Sequence, residues 1–347
     1  MQNFNDREAI RKIDPQNTFD ATEMLIKQCE AAWNEVTSLK MKIDYSDVSN
    51  IVFCGMGASI YGALVFKAIE SRNLLCPIEL VSDYHLPEYV NDKSLVVLVS
   101  YSGSTEEVLS CATESLDKDA KMLVLTKGGE LAQFAKKHDV PSYIFDGKLN
   151  PAGIPRLGIG YSILGLIGLL SKTKVLTIEE AEITNAIIRL EEKQAEIKSQ
   201  ALKDYELFID KIPVIFAAEH LSGNAQIMRN QFNETSKTFS CYYLIPDLNH
   251  HLMEGLQFPK TNLQFILLDS PIYEQKIKTR VSLTIDVVKK NNHLIHVFQT
   301  NGSTFYDDFL EIMLYSSYLT LYLALHYDQN PAVNPWVDYF KTALKRK

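Results

Sequence analysis

The stretch that most constrains the fold is Leu95–Glu107, LVVLVSYSGSTEE. Its first half, Leu95–Val99, is a continuous run of apolar, mostly β-branched residues, which predicts a strand buried on both faces inside a parallel sheet. Its second half consists of small hydroxyl residues around Gly103, and a helical pattern begins at Glu106. A strand that leads through hydroxyls into a helix favours an anion site, because backbone N–H groups and the positive end of the helix dipole face the turn.

The residues of the turns do not favour a nucleotide as the ligand. The Leu95–Glu107 turn has neither a lysine nor the Walker spacing, so a nucleoside triphosphate is not expected. An earlier turn, GMGASIYG, has glycines at positions 55, 57 and 62, which breaks the G-x-G-x-x-G spacing of dinucleotide sites. An ordinary serine-rich turn with a capping hydroxyl remains an equally good interpretation of the Leu95–Glu107 stretch alone.

Composition limits the class of protein and its partners. The 347 residues suggest about two domains, and 46% apolar with 22% charged residues is ordinary for a soluble globular protein. A net charge of −8 without a basic stripe argues against a nucleic-acid partner. Five scattered cysteines and the lack of a signal-peptide pattern predict a cytoplasmic protein. The apolar segment Gly158–Leu170 is too short to span a membrane, so we expect no membrane partner.

Apolar strand patterns alternate with helical patterns along most of the chain. Strands are predicted at Ile51–Cys54, Ile78–Val81, Leu95–Val99, Met122–Leu125, Tyr143–Phe145, Val214–Ala217, Phe239–Leu244, Leu263–Leu268 and His293–Val297. Helices are predicted at Ala21–Leu39, Ile60–Glu70, Gly158–Leu170, Ile178–Gln200, Asn224–Lys237, Gln275–Lys290, Phe305–His326 and Val333–Lys345. The alternation predicts an α/β fold of two doubly wound parallel sheets, each a flavodoxin-like three-layer sandwich, with a C-terminal helix.

The similar alternation in the two halves suggests an internal duplication. The charged segment Ile178–Gln200 carries no cofactor motif and separates the halves. We therefore predict an N-terminal domain at 1–175, a helical connector at 176–204 and a C-terminal domain at 205–347.

Several charged residues outside the turns have both an ordinary and a functional interpretation. Arg156, in the Pro- and Gly-rich loop NPAGIPR, is either a snorkelling surface residue or an anion contact. Glu234 stands three positions before Lys237, the spacing of a solvated helical ion pair. The tandem His250 and His251 lie near Glu254, but no H-E-x-x-H motif or third ligand accompanies them, so a metal site is not favoured. Lys341 lies in a lysine-rich tail that is typical of solvated surface.

Six segments in order resemble one family over nearly the whole chain. They are GMGASIYG, SYSGSTEE, NPAGIPR, NQFNETSK, PDLNHHLMEG and NPWVDYFKTALK. In order and character they resemble the bifunctional phosphoglucose/phosphomannose isomerases, which consist of two sugar isomerase (SIS) domains. The resemblance implies interconversion of fructose 6-phosphate with glucose 6-phosphate and mannose 6-phosphate, with no metal and no organic cofactor. It also implies a homodimer in which His250 is offered across the interface.

The resemblance implies a role for each candidate residue. The substrate phosphate would be bound by Ser100, Ser102 and Thr105, with Gly57 and Ser59 in the neighbouring turn. Arg156 would stabilise the anionic enediolate, and Glu234 would be the base that moves a proton between C1 and C2. His250 and Lys341 would open the sugar ring.

The sequence also departs from the family pattern. Ala58 stands where the family usually has a second glycine, and Ser104 replaces the usual asparagine of S-x-S-G-N-T. Glu219 and His220 lie where the family tends to have a glycine-rich turn, and the sequence does not explain them. Two alternatives stay open: an isomerase of an amino or pentose sugar phosphate, and a non-catalytic sugar-phosphate-binding protein. The sequence does not determine a preference between glucose and mannose.

Overall fold

The computed structural model describes residues 4, 6–41, 43–260 and 262–344. Within them the chain forms two all-parallel sheets. The first sheet has the order β2-β1-β3-β4-β5 and consists of β1 (Asn50–Gly55), β2 (Ile78–Val81), β3 (Ser94–Ser100), β4 (Lys121–Thr126) and β5 (Ser142–Ile144). The second has the order β7-β6-β8-β9 and consists of β6 (Ile212–Ala218), β7 (Cys241–Ile245), β8 (Leu263–Asp269) and β9 (Ile295–Gln299).

Helices cover both sheets. They are α1 (Arg7–Ile13), α2 (Thr18–Glu23), α3 (Leu25–Ser38), α4 (Tyr61–Glu70), α5 (Glu106–Asp117), α6 (Gly129–Lys137), α7 (Ile159–Ser171), α8 (Glu180–Asp204), α9 (Ser222–Glu234), α10 (Leu252–Gly255), α11 (Gln275–Lys290), α12 (Phe305–His326) and α13 (Pro335–Leu344). In the described residues, no helix is long and apolar enough to cross a membrane.

The apolar run of β3 is explained by the two layers that cover its sheet. Leu95, Val97 and Val99 belong to a large core that also contains residues of α3, α4 and α7. The alternate residues Val96 and Leu98 belong to a separate core that also contains residues of α5 and α6. Because successive side chains of a strand point to opposite faces, a strand covered on both sides must be apolar throughout.

The two halves of the chain share the larger core. Its members run from the N-terminal helices through both sheets to α12. Every residue of α12 from Tyr306 to Leu325 is buried, and Thr304 with Asp307 forms a capping box at its start. The Tyr306 hydroxyl donates a 2.5 Å hydrogen bond to Glu70 at the end of α4, so α12 also bonds to the first half.

Most of the predicted elements are confirmed, and the fold class is confirmed. The strand Ile78–Val81 and the helices Gln275–Lys290 and Phe305–His326 have both predicted bounds. The continuous helix predicted at Ala21–Leu39 is wrong, because α2 ends at Glu23 and α3 begins at Leu25. The predicted end of the last helix, Lys345, lies outside the described residues.

The predicted connector segment is also helical. It forms α8, which packs on α12 and carries ion pairs from Arg189 to Asp307 and from Lys193 to Glu311. The domain boundaries at 175 and 205 stay a prediction. The shared strand order of the two sheets supports the expected duplication.

Candidate functional site

Hydroxyl groups shape the turn between β3 and α5. The Ser100 and Thr105 hydroxyls share a hydrogen bond of 2.7 Å, and the Gly103 N–H donates to the Ser100 hydroxyl at 3.0 Å. The exposed Ser102 hydroxyl accepts from the N–H and the hydroxyl of Ser104. Thr105 precedes the helix but makes no side-chain capping bond, so the N–H groups of the first turn of α5 remain available to an anion.

Gly103 is required by both the conformation and the packing of this turn. Its φ of +72° lies in the left-handed region, and a Cβ built on it would stand 1.8 Å from the Gly128 carbonyl oxygen. That oxygen belongs to the turn between β4 and α6. A side chain at position 103 would therefore separate two turns that now touch.

The turn after β1 lies beside the first. Gly57 has a φ of +54° and no atom within 4 Å of the position of a Cβ, so its surroundings are open. The Ser59 hydroxyl accepts a 3.1 Å hydrogen bond from the Tyr101 N–H and thereby ties the two turns together. Ala58, which departs from the family pattern, belongs to the hydrophobic core. The structure thus brings Ser59 and the Ser100–Thr105 turn to one edge of the sheet, at the carboxyl ends of the paired strands β1 and β3.

Arg156 is buried, with 5% of its surface exposed, so the interpretation as a snorkelling surface residue is wrong. Its Nη2 donates to the carbonyl oxygens of Pro331 and Ala332 at 2.5 and 2.7 Å. Its Nη1 lies 3.7 Å from Glu234 Oε2, and its buried Nε has no hydrogen-bond partner among the described residues. Burial lowers the pKa of the guanidinium, and the charge of Glu234 opposes that effect.

Glu234 is the last residue of α9, and its side chain is 31% exposed. Its Oε2 accepts a 3.1 Å hydrogen bond from Asn334 Nδ2 and faces Arg156. No described residue bonds to Oε1. Two neighbours therefore hold one oxygen of this carboxylate, and the other is left for a further partner.

Lys237 and Asn334 also belong to this cluster, although the sequence did not single them out as site residues. The helical ion pair that is the ordinary interpretation of the Glu234 and Lys237 spacing does not form, because α9 ends at Glu234 and Lys237 Nζ donates instead to the Glu234 carbonyl oxygen at 2.5 Å. Asn334 lies within the quoted segment NPWVDYFKTALK, where no pattern distinguishes it. The signal for Lys237 is its spacing from Glu234, which by itself indicates a solvated pair.

His250 and Lys341 are not brought to the cluster. Both side chains are exposed, and neither makes a hydrogen bond or ion pair with another described residue. His250 ends a short 3-10 turn at Asp247–His250, and Lys341 lies on α13, none of whose residues is buried. In the described part of the chain, no group of three or more His, Cys, Asp or Glu side chains is placed to hold a metal ion.

A cavity of about 550 Å³ lies at the corresponding end of the second sheet, away from Glu234 and Arg156. Glu219 and His220 line it, and the structure explains both. Glu219 Oε2 accepts from the Glu274 N–H at 3.1 Å and Glu219 Oε1 lies 3.5 Å from Arg72 Nη2, while His220 Nε2 lies 2.9 Å from the buried Asp308 carboxylate. The N-terminal end of α11 would attract an anion, but the Glu219 carboxylate already bonds to the backbone there. We therefore take the cluster around Glu234, and not this cavity, as the candidate active site.

Comparisons with known proteins agree with the motifs. Residues 194–344 match the family model described as the bacterial phospho-glucose isomerase C-terminal SIS domain. The chain is 26% identical to a bifunctional phosphoglucose/phosphomannose isomerase of Caldicellulosiruptor bescii, over 94% of this chain and 98% of the relative. It is 27% identical to an enzyme of the same name from Aquifex aeolicus, over 93% and 99%.

A solved structure supports the fold. A hypothetical protein of Thermus thermophilus superimposes with a TM-score of 0.73 at 17% identity, covering 98% of this chain and 93% of that one. The resemblance inferred from the six motifs is confirmed.

Proposed function

From its similarity to bifunctional phosphoglucose/phosphomannose isomerases along nearly its whole length, we propose that this chain interconverts fructose 6-phosphate with glucose 6-phosphate and mannose 6-phosphate. The observation that carries the proposal is the match to relatives of that name over 94% and 93% of the chain. The reaction moves a proton between C1 and C2 through an enediol or enediolate. It is independent of metal and organic cofactors and belongs to glycolysis and gluconeogenesis.

Glu234 is the base in this proposal. The reaction needs a carboxylate that takes a proton from one carbon and returns it to the other, in a partly desolvated position. Support comes from the fixed orientation of Glu234, since Asn334 and Arg156 hold Oε2 and leave Oε1 without a partner among the described residues. Arg156 places a buried positive charge next to the base, where negative charge develops on the substrate oxygens.

The phosphate binds at the hydroxyl-rich turn. Ser100, Ser102 and Thr105 supply hydroxyls, and the first turn of α5 supplies backbone N–H groups. Gly57 leaves open space beside them, and Ser59 holds the turn through the Tyr101 N–H. Phosphate bound here lends its binding energy to the positioning of C1 and C2 at the base.

His250 and Lys341 open the sugar ring, and the active form is a homodimer in which His250 is offered across the interface. Support for contact with a second protomer comes from α13, which exposes large apolar side chains at Trp336, Tyr339 and Phe340. The dimer is tested by measuring the mass of the protein in solution at working concentration. A monomer as the single species would overturn this part of the proposal.

The base is tested with Glu234→Gln, which keeps the shape of the side chain and removes its ability to take a proton. We expect the variant to bind fructose 6-phosphate with a near-normal Kd while turnover falls by about 10³-fold or more. In D₂O, the wild-type protein should incorporate deuterium at C2 of the product, and the variant should not. The exposed Glu180→Gln on α8 is the control and should keep full activity. Wild-type turnover in Glu234→Gln would exclude Glu234 as the base.

A further inference from the structure

Lys237 lies directly beside the proposed base, three residues beyond the end of α9. Its backbone adopts a left-handed conformation with a φ of +57°, and its half-buried side chain returns to the helix end. There Nζ donates to the carbonyl oxygen of Glu234 at 2.5 Å and to that of Thr235 at 3.5 Å. Carbonyl groups in the last turn of a helix have no partner within the helix, so Lys237 satisfies acceptors that would otherwise lack a donor.

The position of Glu234 creates a need for this cation. A carboxylate at the C-terminal end of a helix faces the negative end of the helix dipole, which disfavours its charge. An ammonium group bound to the same carbonyl oxygens offsets that unfavourable field. Last turns of helices also fray readily, so a contact that holds this turn fixes the carboxylate it carries.

Burial and the neighbouring charges together set the protonation of Lys237. Burial and, next, the positive charge of Arg156 on the Pro155–Leu157 turn lower its pKa to about 8, although the charge of Glu234 acts in the opposite direction. Arg156 in turn lies 3.7 Å from Glu234, and the charge of Glu234, followed by those of Tyr61 on α4 and Asp338 on α13, acts to raise its pKa against the effect of burial. Lys237 thus titrates closer to neutral pH than an ordinary lysine does, and its charge is lost as the pH rises through about 8.

We propose that Lys237 is a positioning residue for the base: its ammonium group holds the last turn of α9 and neutralises the helix end at which the Glu234 carboxylate lies. This inference rests on the proposed isomerase function for its effect on turnover. Lys341, by contrast, is exposed on α13 and makes no contact with the cluster. Lys237 is therefore the lysine that the structure places against Glu234.

The test compares Lys237→Met and Lys237→Arg with Lys174→Met. Lys174 is a matched control, because it also has a left-handed backbone, with a φ of +60°, but its exposed ammonium pairs with Asp44 away from the cluster. For Lys237→Met we expect kcat to fall about tenfold or more with KM changed less than about twofold, since a displaced base slows chemistry more than binding. Lys237→Arg should retain kcat within about threefold, and Lys174→Met should match the wild-type protein.

The pH profile separates a role of the charge from a merely structural role. Wild-type turnover should decline as the pH rises above about 8, where Lys237 loses its proton. Lys237→Arg should not decline there, because a guanidinium stays protonated. The inference is overturned if Lys237→Met keeps wild-type kcat, or if the alkaline decline is the same in Lys237→Arg.

Hydrogen exchange measured without substrate keeps the inference testable apart from the proposed activity. Amides of residues 231–238 should exchange faster in Lys237→Met than in the wild-type protein and in Lys174→Met. Absence of isomerase activity in the wild-type protein would contradict the proposed function. The exchange experiment would still test whether Lys237 holds the last turn of α9. Unchanged exchange across 231–238 would refute that role.

Discussion

Replacing Arg156 with methionine removes a buried group that joins the candidate site to the C-terminal segment of the chain. Two backbone carbonyl oxygens, those of Pro331 and Ala332, receive hydrogen bonds from its Nη2, and both residues are buried. Methionine fills similar volume but donates no hydrogen bond. Each buried carbonyl left without a donor costs about 1 to 3 kcal/mol, so the pair costs about 2 to 6 kcal/mol. The lost attraction to Glu234 adds little, because that side chain is 31% exposed.

Such a loss is a large share of the free energy of unfolding of about 5 to 15 kcal/mol that is usual for a protein domain. Urea unfolding at pH 7 measures it for Arg156→Met. Arg156→Lys keeps the charge but lacks the planar fork, so we expect an intermediate loss. Hydrogen exchange should rise in residues 330–344, which Arg156 anchors. Arg72→Met, at a 70% exposed arginine with two carboxylate partners, is the control and should change stability little. A loss below about 1 kcal/mol in Arg156→Met with unchanged exchange would refute the anchoring role.

Two further predictions concern the phosphate turn and acid stability. Gly103→Ala should raise KM for fructose 6-phosphate about tenfold or more and lower Tm, because its Cβ would stand 1.8 Å from the Gly128 oxygen. Gly57→Ala has open space around its Cβ, so it should lower the free energy of unfolding by about 1 to 2 kcal/mol from backbone conformation alone. Equal KM and Tm in the two variants would contradict this prediction. Burial raises the pKa of Asp204, but hydrogen bonds from His296, Gln200 and Tyr315 outweigh burial and lower it overall. The ionised Asp204 carboxylate therefore stabilises the fold above its unfolded pKa of about 3.9, and this stabilisation is lost as the pH falls through the lower folded pKa. The difference in free energy of unfolding between the wild-type protein and Asp204→Asn should then become smaller below about pH 4. A difference that does not change with pH would exclude a stabilising role of the Asp204 charge.

The fold could be predicted from the sequence because its strongest signals are local. The unbroken apolar run of β3 requires cover on both faces, and the structure provides two separate cores there. The hydroxyl-rich turn after β3 could also be located from the sequence, since the strand, the turn and the helix follow one another directly in the chain. The break at Met24 between α2 and α3 was missed because apolar spacing continues through it.

The contacts of the site could not be predicted in the same way, because they join distant parts of the chain. Arg156 looked like a surface residue from its own neighbours, and its partners Pro331 and Ala332 lie 175 and 176 positions away. Glu219 and His220 were unexplained for the same reason, since Glu274 and Asp308 bind them from other elements.

The contact of Lys237 with the end of α9 could not be predicted for a different reason. A spacing of three residues predicts a helical pair only while the helix continues, and α9 ends at Glu234. The left-handed backbone at position 237 then directs the side chain back to the carbonyl oxygens. A sequence pattern does not locate such an end to within one residue.

The measurement that tests the central claim most directly is isomerase activity of the purified protein on fructose 6-phosphate in the presence of EDTA, with glucose 6-phosphate and mannose 6-phosphate resolved. Formation of both products is the predicted result, because the proposed site moves a proton at C1 and C2 with its own side chains and without a metal. Formation of neither product would contradict the claim, if fructose 6-phosphate still binds and raises the Tm of the protein. That result would also exclude the roles proposed for Glu234 and His250. The chain would then be a sugar-phosphate-binding protein or an enzyme for another sugar.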